Sequence, residues 1–133
     1  MNKQPTHSAR ILLSAVFIGL TTLMGACAGQ THDSDAYQRA LDRVQEAKKT
    51  GATHLNLSSM RLDELPPEIG QLTSLQELDL NYNDLTNLPP EIGQLTNLCE
   101  LDLSYNDLTE LPPEIGQITN LQSFDLSVNH NIN

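Results

Sequence analysis

The feature that most constrains this chain is an internal repeat with a period of 23 residues. Shifting the sequence against itself by one period superimposes residues 75–97 (LQELDLNYNDLTNLPPEIGQLTN) on residues 98–120 (LCELDLSYNDLTELPPEIGQITN). An earlier copy begins at Ala52, and a partial copy begins at Leu121. A period of this length is typical of a solenoid, in which successive coils stack and share one core that no single coil could build alone.

Each repeat contains the pattern of one short strand followed by one helical turn. Leu78 and Leu80 alternate with polar residues, which predicts a strand with one buried and one wetted face. Residues 23 positions apart should therefore stack on neighbouring parallel strands. Further along, Pro89 and Pro90 force an extended approach, Pro90 suits the first position of a helical turn, and Glu91 complements the positive end of that turn.

An asparagine recurs where the chain leaves each predicted strand, at Asn83, Asn106 and Asn129. Its amide can satisfy backbone groups of adjoining coils that would otherwise be buried without partners. The complete string LxxLxLxxNxL resembles that of leucine-rich repeats, in particular the bacterial type with LPxEIxxLxxL. The resemblance implies an α/β leucine-rich repeat solenoid over residues 52–133, with short parallel strands on the concave face, helical turns and extended segments on the convex side, and three full repeats and one partial repeat.

The first 26 residues differ in kind from the repeats. Basic residues precede an uncharged run from Ile11 to Met24, which is shorter than the roughly 20 apolar residues that cross a bilayer. This pattern predicts a cleaved secretory signal at residues 1–26. The residues before Cys27 resemble a bacterial lipobox, which implies a lipoprotein that carries acyl chains such as palmitate on Cys27. An ordinary signal with an incidental Cys27 is the alternative.

The lipobox resemblance also implies where the protein resides. Residues 27–34 are small and polar and are predicted to form a lipidated tether. Ala28 stands where an aspartate tends to retain lipoproteins at the inner membrane, so we expect the outer membrane or cell surface of a bacterium.

A capping helix is predicted at residues 35–51, between the tether and the repeats. Ser34 or Asp35 can begin it and Gly51 can end it. The apolar residues at helical spacing are Tyr37, Ala40, Leu41, Val44 and Ala47. At the other end of the array no lid is expected, and the fourth strand should present an open edge.

The charge of the chain is strongly acidic, with 7 Lys and Arg against 17 Asp and Glu. This balance disfavours nucleic acid, whose binding depends on cations that neutralise phosphates. From Leu62 to Asn133 there are 13 acidic residues and no Lys or Arg, a field that would steer a basic protein partner. Exposed tyrosines are favoured anchors in interfaces. The predicted partner-binding residues on the concave face are Tyr82, Tyr105, Glu77, Asp79, Asn81, Glu100, Asp102, Ser104 and Asp125. The alternative is that the acids only keep the solenoid soluble.

Catalytic patterns are weak in this sequence. Cys99 and His130 lack an orienting third group, and there is no phosphate-binding loop, zinc cluster or compact calcium loop. We therefore expect no enzymatic activity, no cofactor and no metal site. The sequence predicts a membrane-anchored module that binds a protein through its acidic concave face. Two alternatives remain open: a structural or self-associating envelope lipoprotein that uses the open edge, and a fragment of a larger leucine-rich repeat receptor or effector.

Overall fold

A computed structural model describes residues 31–132 of the chain, and the environment of side chains from Ser34 onward. The residues from Asp33 to Ile132 belong to one compact unit. Residues 1–30 lie outside the described part, so the predicted signal, the predicted lipidation of Cys27 and the first half of the predicted tether fall there. Within residues 31–132, no helix combines the length and the apolar character that a membrane crossing requires.

Helix α1 spans Thr31–Thr50 and covers the first coil of the array. Its inward stripe consists of Ala36, Ala40, Val44 and Ala47, all buried. Residues 31–34 are thus helical and do not belong to the tether predicted for residues 27–34, which is a correction. The physical reason is that Asp33 falls in the first turn of the longer helix, where an acidic residue complements the helix dipole.

Helix α1 ends immediately before Gly51. This residue adopts φ 64°, in the left-handed region where glycine carries no steric penalty. The Ala52 N–H donates to the Ala47 carbonyl at 2.9 Å and the Gly51 N–H donates to the Lys48 carbonyl at 3.4 Å. These two bonds form a Schellman motif, which satisfies the last carbonyls of the helix and turns the chain into the first strand.

Four short strands form one parallel sheet in the order β1-β2-β3-β4. They are β1 (His54–Asn56), β2 (Glu77–Asp79), β3 (Glu100–Asp102) and β4 (Ser123–Asp125). The register follows the 23-residue period, so that the middle residues Leu55, Leu78, Leu101 and Phe124 stand side by side. The predicted stacking of equivalent residues is confirmed.

Opposite the strands, three 3-10 helices follow the paired prolines: η1 (Pro67–Gln71), η2 (Pro90–Gln94) and η3 (Pro113–Gln117). The coils approach each other closely on this side. A Cβ on Gly70 would lie 2.7 Å from the Glu91 carbonyl oxygen, and one on Gly93 would lie 2.5 Å from that of Glu114. A Cβ on Gly116, in the last of the three helices, would meet no atom within 4 Å.

The core between strands and 3-10 helices is made of repeated leucines and isoleucines, sealed by the asparagines. The Asn83 side chain accepts the N–H groups of Met60 and Leu62 at 3.0 and 3.1 Å. Its amide donates to the carbonyls of Leu57 and Leu80 at 3.0 and 2.9 Å. One amide thereby satisfies backbone groups of two coils, as predicted. The same pattern recurs at Asn106 and Asn129.

The last coil is much less buried than the others. Phe124 on β4 is 40% exposed, whereas its neighbour Leu101 on β3 is 1% exposed. Five further apolar residues at this end of the array are only partly buried: Leu111, Ile115, Leu121, Leu126 and Ile132. Among the described residues, β4 therefore forms an uncovered edge of the sheet.

Candidate functional site

The candidate site is the strand face, defined as the outward side chains of β1–β4 and of the turn that follows each strand. Its centre is a shallow cavity of about 220 Å³. Five predicted residues line this cavity with carboxylates, namely Glu77, Asp79, Glu100, Asp102 and Asp125. The parallel register places equivalent acids on adjacent strands, so the structure brings these five into one acidic groove.

Turns fix the aspartates of the groove. Each aspartate ends a strand and accepts, through one oxygen, the backbone N–H two residues further on. The Asn81 N–H donates to Asp79 at 3.1 Å, the Ser104 N–H donates to Asp102 at 2.9 Å, and the Ser127 N–H donates to Asp125 at 2.8 Å. These Asx turns orient the carboxylates before any ligand arrives.

Amide side chains link neighbouring strands across the groove. The Asn56 amide donates to the second oxygen of Asp79 at 3.0 Å, and the Asn81 amide donates to that of Asp102 at 3.0 Å. Asp125 receives no such amide link from the preceding coil. The residue that could supply it is Ser104, which occupies the position of Asn81 in the next coil, and its short hydroxyl donates instead to Asp102 in its own coil at 2.6 Å.

The pKa of Asp102 reflects this network. Partial burial is the largest single influence and favours the neutral acid. The hydrogen bonds from the Ser104 hydroxyl, the Ser104 N–H and the Asn81 amide together outweigh it, so the pKa of Asp102 lies below its ordinary value. Asp102 therefore carries its negative charge throughout the neutral pH range.

Tyr82 and Tyr105 form a stacked aromatic pair beside the acidic groove. Their ring centroids are 4.2 Å apart with an angle of 10° between the planes. Tyr82 is 53% exposed and Tyr105 is 44% exposed, and Val128 occupies the equivalent position of the next coil. Both tyrosines adopt the left-handed backbone region, with φ of 53° and 55°.

The neighbouring ring also affects the pKa of the Tyr82 hydroxyl. The hydroxyl of Tyr105 is the main cause that raises the pKa of Tyr82, followed by slight desolvation and by the nearby charges of Tyr105 and Asp102. The Tyr82 hydroxyl therefore remains protonated at neutral pH and can donate a hydrogen bond.

The remaining polar positions of the sequence pattern have simpler roles. Ser104 is buried beneath the groove, where its hydroxyl donates to Asp102. Cys99 is partly buried with its thiol 3.5 Å from the Asn97 carbonyl oxygen. His130 lines a separate shallow cavity of about 250 Å³ together with Tyr105 and Asp107. In the described part of the chain, no three His, Cys, Asp or Glu residues are grouped so that they could hold a metal ion.

Two further residues contact the groove but are not among the predicted binding residues. Asn56 supplies the first amide link, and His54 lies with its Nε2 at 3.5 Å from a carboxylate oxygen of Glu77. The repeat register places both in the outward columns that begin at β1, but it does not show that their side chains reach the acids of β2. The stacking of the two tyrosines had no such signal, because the repeat fixes only their position and not the orientation of their rings.

Comparison with known proteins agrees with this architecture. A family described as a leucine-rich repeat region matches residues 52–132. Among solved structures, a leucine-rich repeat protein of Leptospira interrogans is 57% identical over 55% of this chain, with a TM-score of 0.55. A TDR receptor is 30% identical over 62% of this chain, also with a TM-score of 0.55. No curated protein matches this chain.

The matched regions are small parts of those proteins, since they cover 19% of the Leptospira chain and 15% of the TDR receptor. Leucine-rich repeat domains generally act as protein-interaction modules and are typically not enzymes. The family match extends over more than half of the sequence and coincides with the four strands and three 3-10 helices described above. This chain therefore belongs to the leucine-rich repeat family and is a bacterial leucine-rich repeat protein.

Proposed function

We propose that this protein is a lipid-anchored interaction module that captures a basic protein partner on its strand face. The observation that carries the proposal is the exposed stack of Tyr82 and Tyr105 beside a groove lined by five carboxylates. An aromatic platform next to a charged groove offers both contact area and orientation, which are the two requirements of a specific interface.

The tyrosine stack supports binding because its rings are already ordered. A side chain that becomes immobilised on binding costs about 0.5–1.5 kcal/mol. The stacking contact of 4.2 Å restricts both rings before a partner arrives, so less of this cost remains. The partner would place apolar or cationic groups against the exposed part of the rings, since the aromatic face attracts cations.

The charge of the strand face indicates the sign of the partner. No lysine or arginine occurs from Leu62 onward, so the 13 acids of that region are not balanced by cations within it. A basic partner would be steered towards the groove, and its association would become slower as salt is added.

Capture is tested by affinity purification with the full chain in detergent, followed by identification of the bound protein. Replacing both Tyr82 and Tyr105 with Ala should abolish most of the capture. The matched control replaces Gln94 and Gln117, which are exposed on the opposite 3-10 helices, with Ala and should capture normally. Equal capture by the tyrosine variant and the wild type would reject the strand face as the binding surface.

The lipid anchor is a separate part of the proposal and rests on the lipobox resemblance at Cys27. Each buried methylene of an acyl chain contributes about 0.8 kcal/mol, so several chains hold a protein firmly on a bilayer. We expect labelled palmitate to be incorporated into the chain in a bacterial host and to be absent from the Cys27→Ser variant. Such an anchor would place the strand face at the outer membrane or cell surface. Incorporation that persists in the variant would contradict the anchor without affecting the binding proposal.

A further inference from the structure

The outer edge of β4 presents the same backbone groups that join the coils inside the array. Between β2 and β3, the Leu80 N–H donates to the Asp102 carbonyl at 2.8 Å. Between β3 and β4, the Leu103 N–H donates to the Asp125 carbonyl at 2.8 Å. The equivalent donor one coil further on is the Leu126 N–H, which has no acceptor within residues 31–132.

The backbone groups that flank Leu126 on this edge follow the same pattern. The Tyr105 N–H donates to the Ser127 carbonyl at 2.9 Å, and the equivalent Val128 N–H has no acceptor among the described residues. The Cys99 carbonyl accepts the N–H groups of both Gln122 and Ser123. The equivalent carbonyl, that of Gln122, accepts none within the same range. The edge therefore offers a strand-like series of donors and acceptors to an added segment.

Side chains and space on this edge also match an inner interface. Phe124 is 40% exposed where Leu101 is 1% exposed, which leaves an apolar contact unfilled. On the opposite side, Gly93 backs onto the next coil with no room for a Cβ, whereas Gly116 faces open space. Both sides of the last coil thus carry a contact surface that the described residues leave uncovered.

Charge selects the occupant of this edge. Ser123 and Asp125 are exposed on either side of Phe124, and Asp125 receives no amide from Ser104 of the kind that Asp102 receives from Asn81. A second copy of this chain would bring another excess of acid, since the formal net charge is −10. A basic segment would instead supply hydrogen-bond donors and positive charge next to Asp125.

We propose that the β4 edge binds an extended segment of a basic protein by strand addition, with an apolar residue on Phe124 and a lysine or arginine beside Asp125. Backbone hydrogen bonds then supply affinity and the alternation of side chains supplies specificity. This surface is distinct from the tyrosine stack, and the inference holds whether or not the stack binds a partner.

The test uses two fluorescein-labelled synthetic peptides and the full chain in detergent. The first, the valine peptide, alternates lysine with valine. The second has the same sequence with methylated lysine backbone nitrogens, which keeps the charge and the side chains but removes the N–H groups that would face β4 in the proposed register. Fluorescence anisotropy should show that the valine peptide binds at least about tenfold more tightly. Equal affinities would mean that charge alone attracts the peptides, and strand addition would be rejected.

A Phe124→Asp variant separates the apolar contact from electrostatic attraction, because the two predict opposite changes in the affinity for the valine peptide. Strand addition on Phe124 predicts weaker binding of the valine peptide, whereas attraction by charge alone predicts tighter binding. The control replaces Tyr82 and Tyr105 with Ala and should bind this peptide as the wild type does. Loss of peptide binding in the tyrosine variant alone would show that the peptide binds at the strand face. This result would overturn the inference and support the proposed function.

Two measurements on the unmodified protein test the inference even if a variant does not fold. In hydrogen exchange, the valine peptide should slow exchange of the Leu126 and Val128 amides, and unchanged exchange there would overturn the inference. Sedimentation should show a protein monomer at the concentrations used. A dimer whose Leu126 and Val128 amides are already protected would identify a second copy as the occupant and would equally overturn it.

Discussion

At the scale of single residues, the buried asparagines that follow β2 and β3 stabilise the array by satisfying backbone groups of adjoining coils. Asn106 is 4% exposed, accepts the Leu85 N–H at 3.1 Å and donates to the carbonyls of Leu80 and Leu103 at 3.0 Å. Asn106→Ala leaves these backbone groups buried without partners, so we expect a loss of about 2–4 kcal/mol in the free energy of unfolding by urea. Asn97→Ala is the control, because Asn97 is exposed and donates only to Thr73. Similar losses in both variants would contradict the role of burial.

Ser104 tests the charge state of Asp102. The pKa of Asp102 is lowered on folding, so its ionised form contributes stability above its unfolded pKa, and this contribution is lost as pH falls through the lower folded pKa. Ser104→Ala removes the 2.6 Å hydroxyl bond and should raise the pKa of Asp102. The stability difference between pH 7 and pH 3, measured by urea unfolding, should then shrink. Ser127→Ala, one coil further on, should leave it unchanged, and an equal effect of both changes would argue against the hydroxyl.

At the scale of elements, the 3-10 helices provide a matched pair of glycines. Gly93→Ala would place a Cβ 2.5 Å from the Glu114 carbonyl oxygen and force the coils apart, whereas Gly116→Ala meets nothing within 4 Å. We expect Gly93→Ala to cost about 1–3 kcal/mol and Gly116→Ala to be nearly neutral, as judged by urea midpoints. A comparable cost at Gly116 would show that a further element covers the last coil in solution.

The elements that the sequence could predict are those that the repeat specifies several times. The strand around Leu78 and the 3-10 helix after Pro89 follow from alternation and from proline, and each recurs 23 residues later with the same chemistry. The start of α1 occurs once and has competing signals, because Thr31 and Ser34 are both acceptable near a helix N-terminus. A single weak preference for a boundary is easily overridden by the packing of the helix on the first coil.

At the scale of the whole molecule, the uneven charge predicts opposite effects of salt on folding and on binding. Equivalent carboxylates of Asp79, Asp102 and Asp125 stand on adjacent strands, about 4.8 Å apart. Salt at 1 M reduces the screening length to about 3 Å, so it should relieve their repulsion and stabilise the fold by about 1 kcal/mol, or roughly 4–8 °C in Tm. The same salt should weaken capture of a basic partner.

This prediction is checked by thermal unfolding and by affinity capture over one salt series. A variant that combines Glu77→Gln with Glu100→Gln is the control and should show a smaller rise in Tm, because both residues belong to the acidic groove. A fall in Tm with salt would mean that attractive ion pairs dominate the strand face. Salt-independent capture would mean that the partner is held without charge.

How far the candidate site could be predicted also depends on scale. The columns of Glu77 and Asp79 followed from the register alone, because a parallel stack repeats each position. The link from Asn81 to Asp102, and its interruption at Ser104, depend on side-chain length and rotamer, which the period does not encode. The positions of the site residues were therefore predictable from the sequence, whereas their hydrogen-bond network and the stacking of the tyrosine rings are visible only in the structure.

The left-handed backbone of Tyr82, Tyr105 and Val128 has a consequence for how this surface can evolve. An ordinary L-residue in this conformation costs roughly 1–2 kcal/mol, and glycine avoids the cost. Ring stacking returns about 0.5–1.5 kcal/mol to the tyrosine pair, which offsets part of the strain, and Val128 has no such compensation. Glycine at these three positions would therefore relieve the backbone strain, but it would also remove the exposed side chains from the strand face.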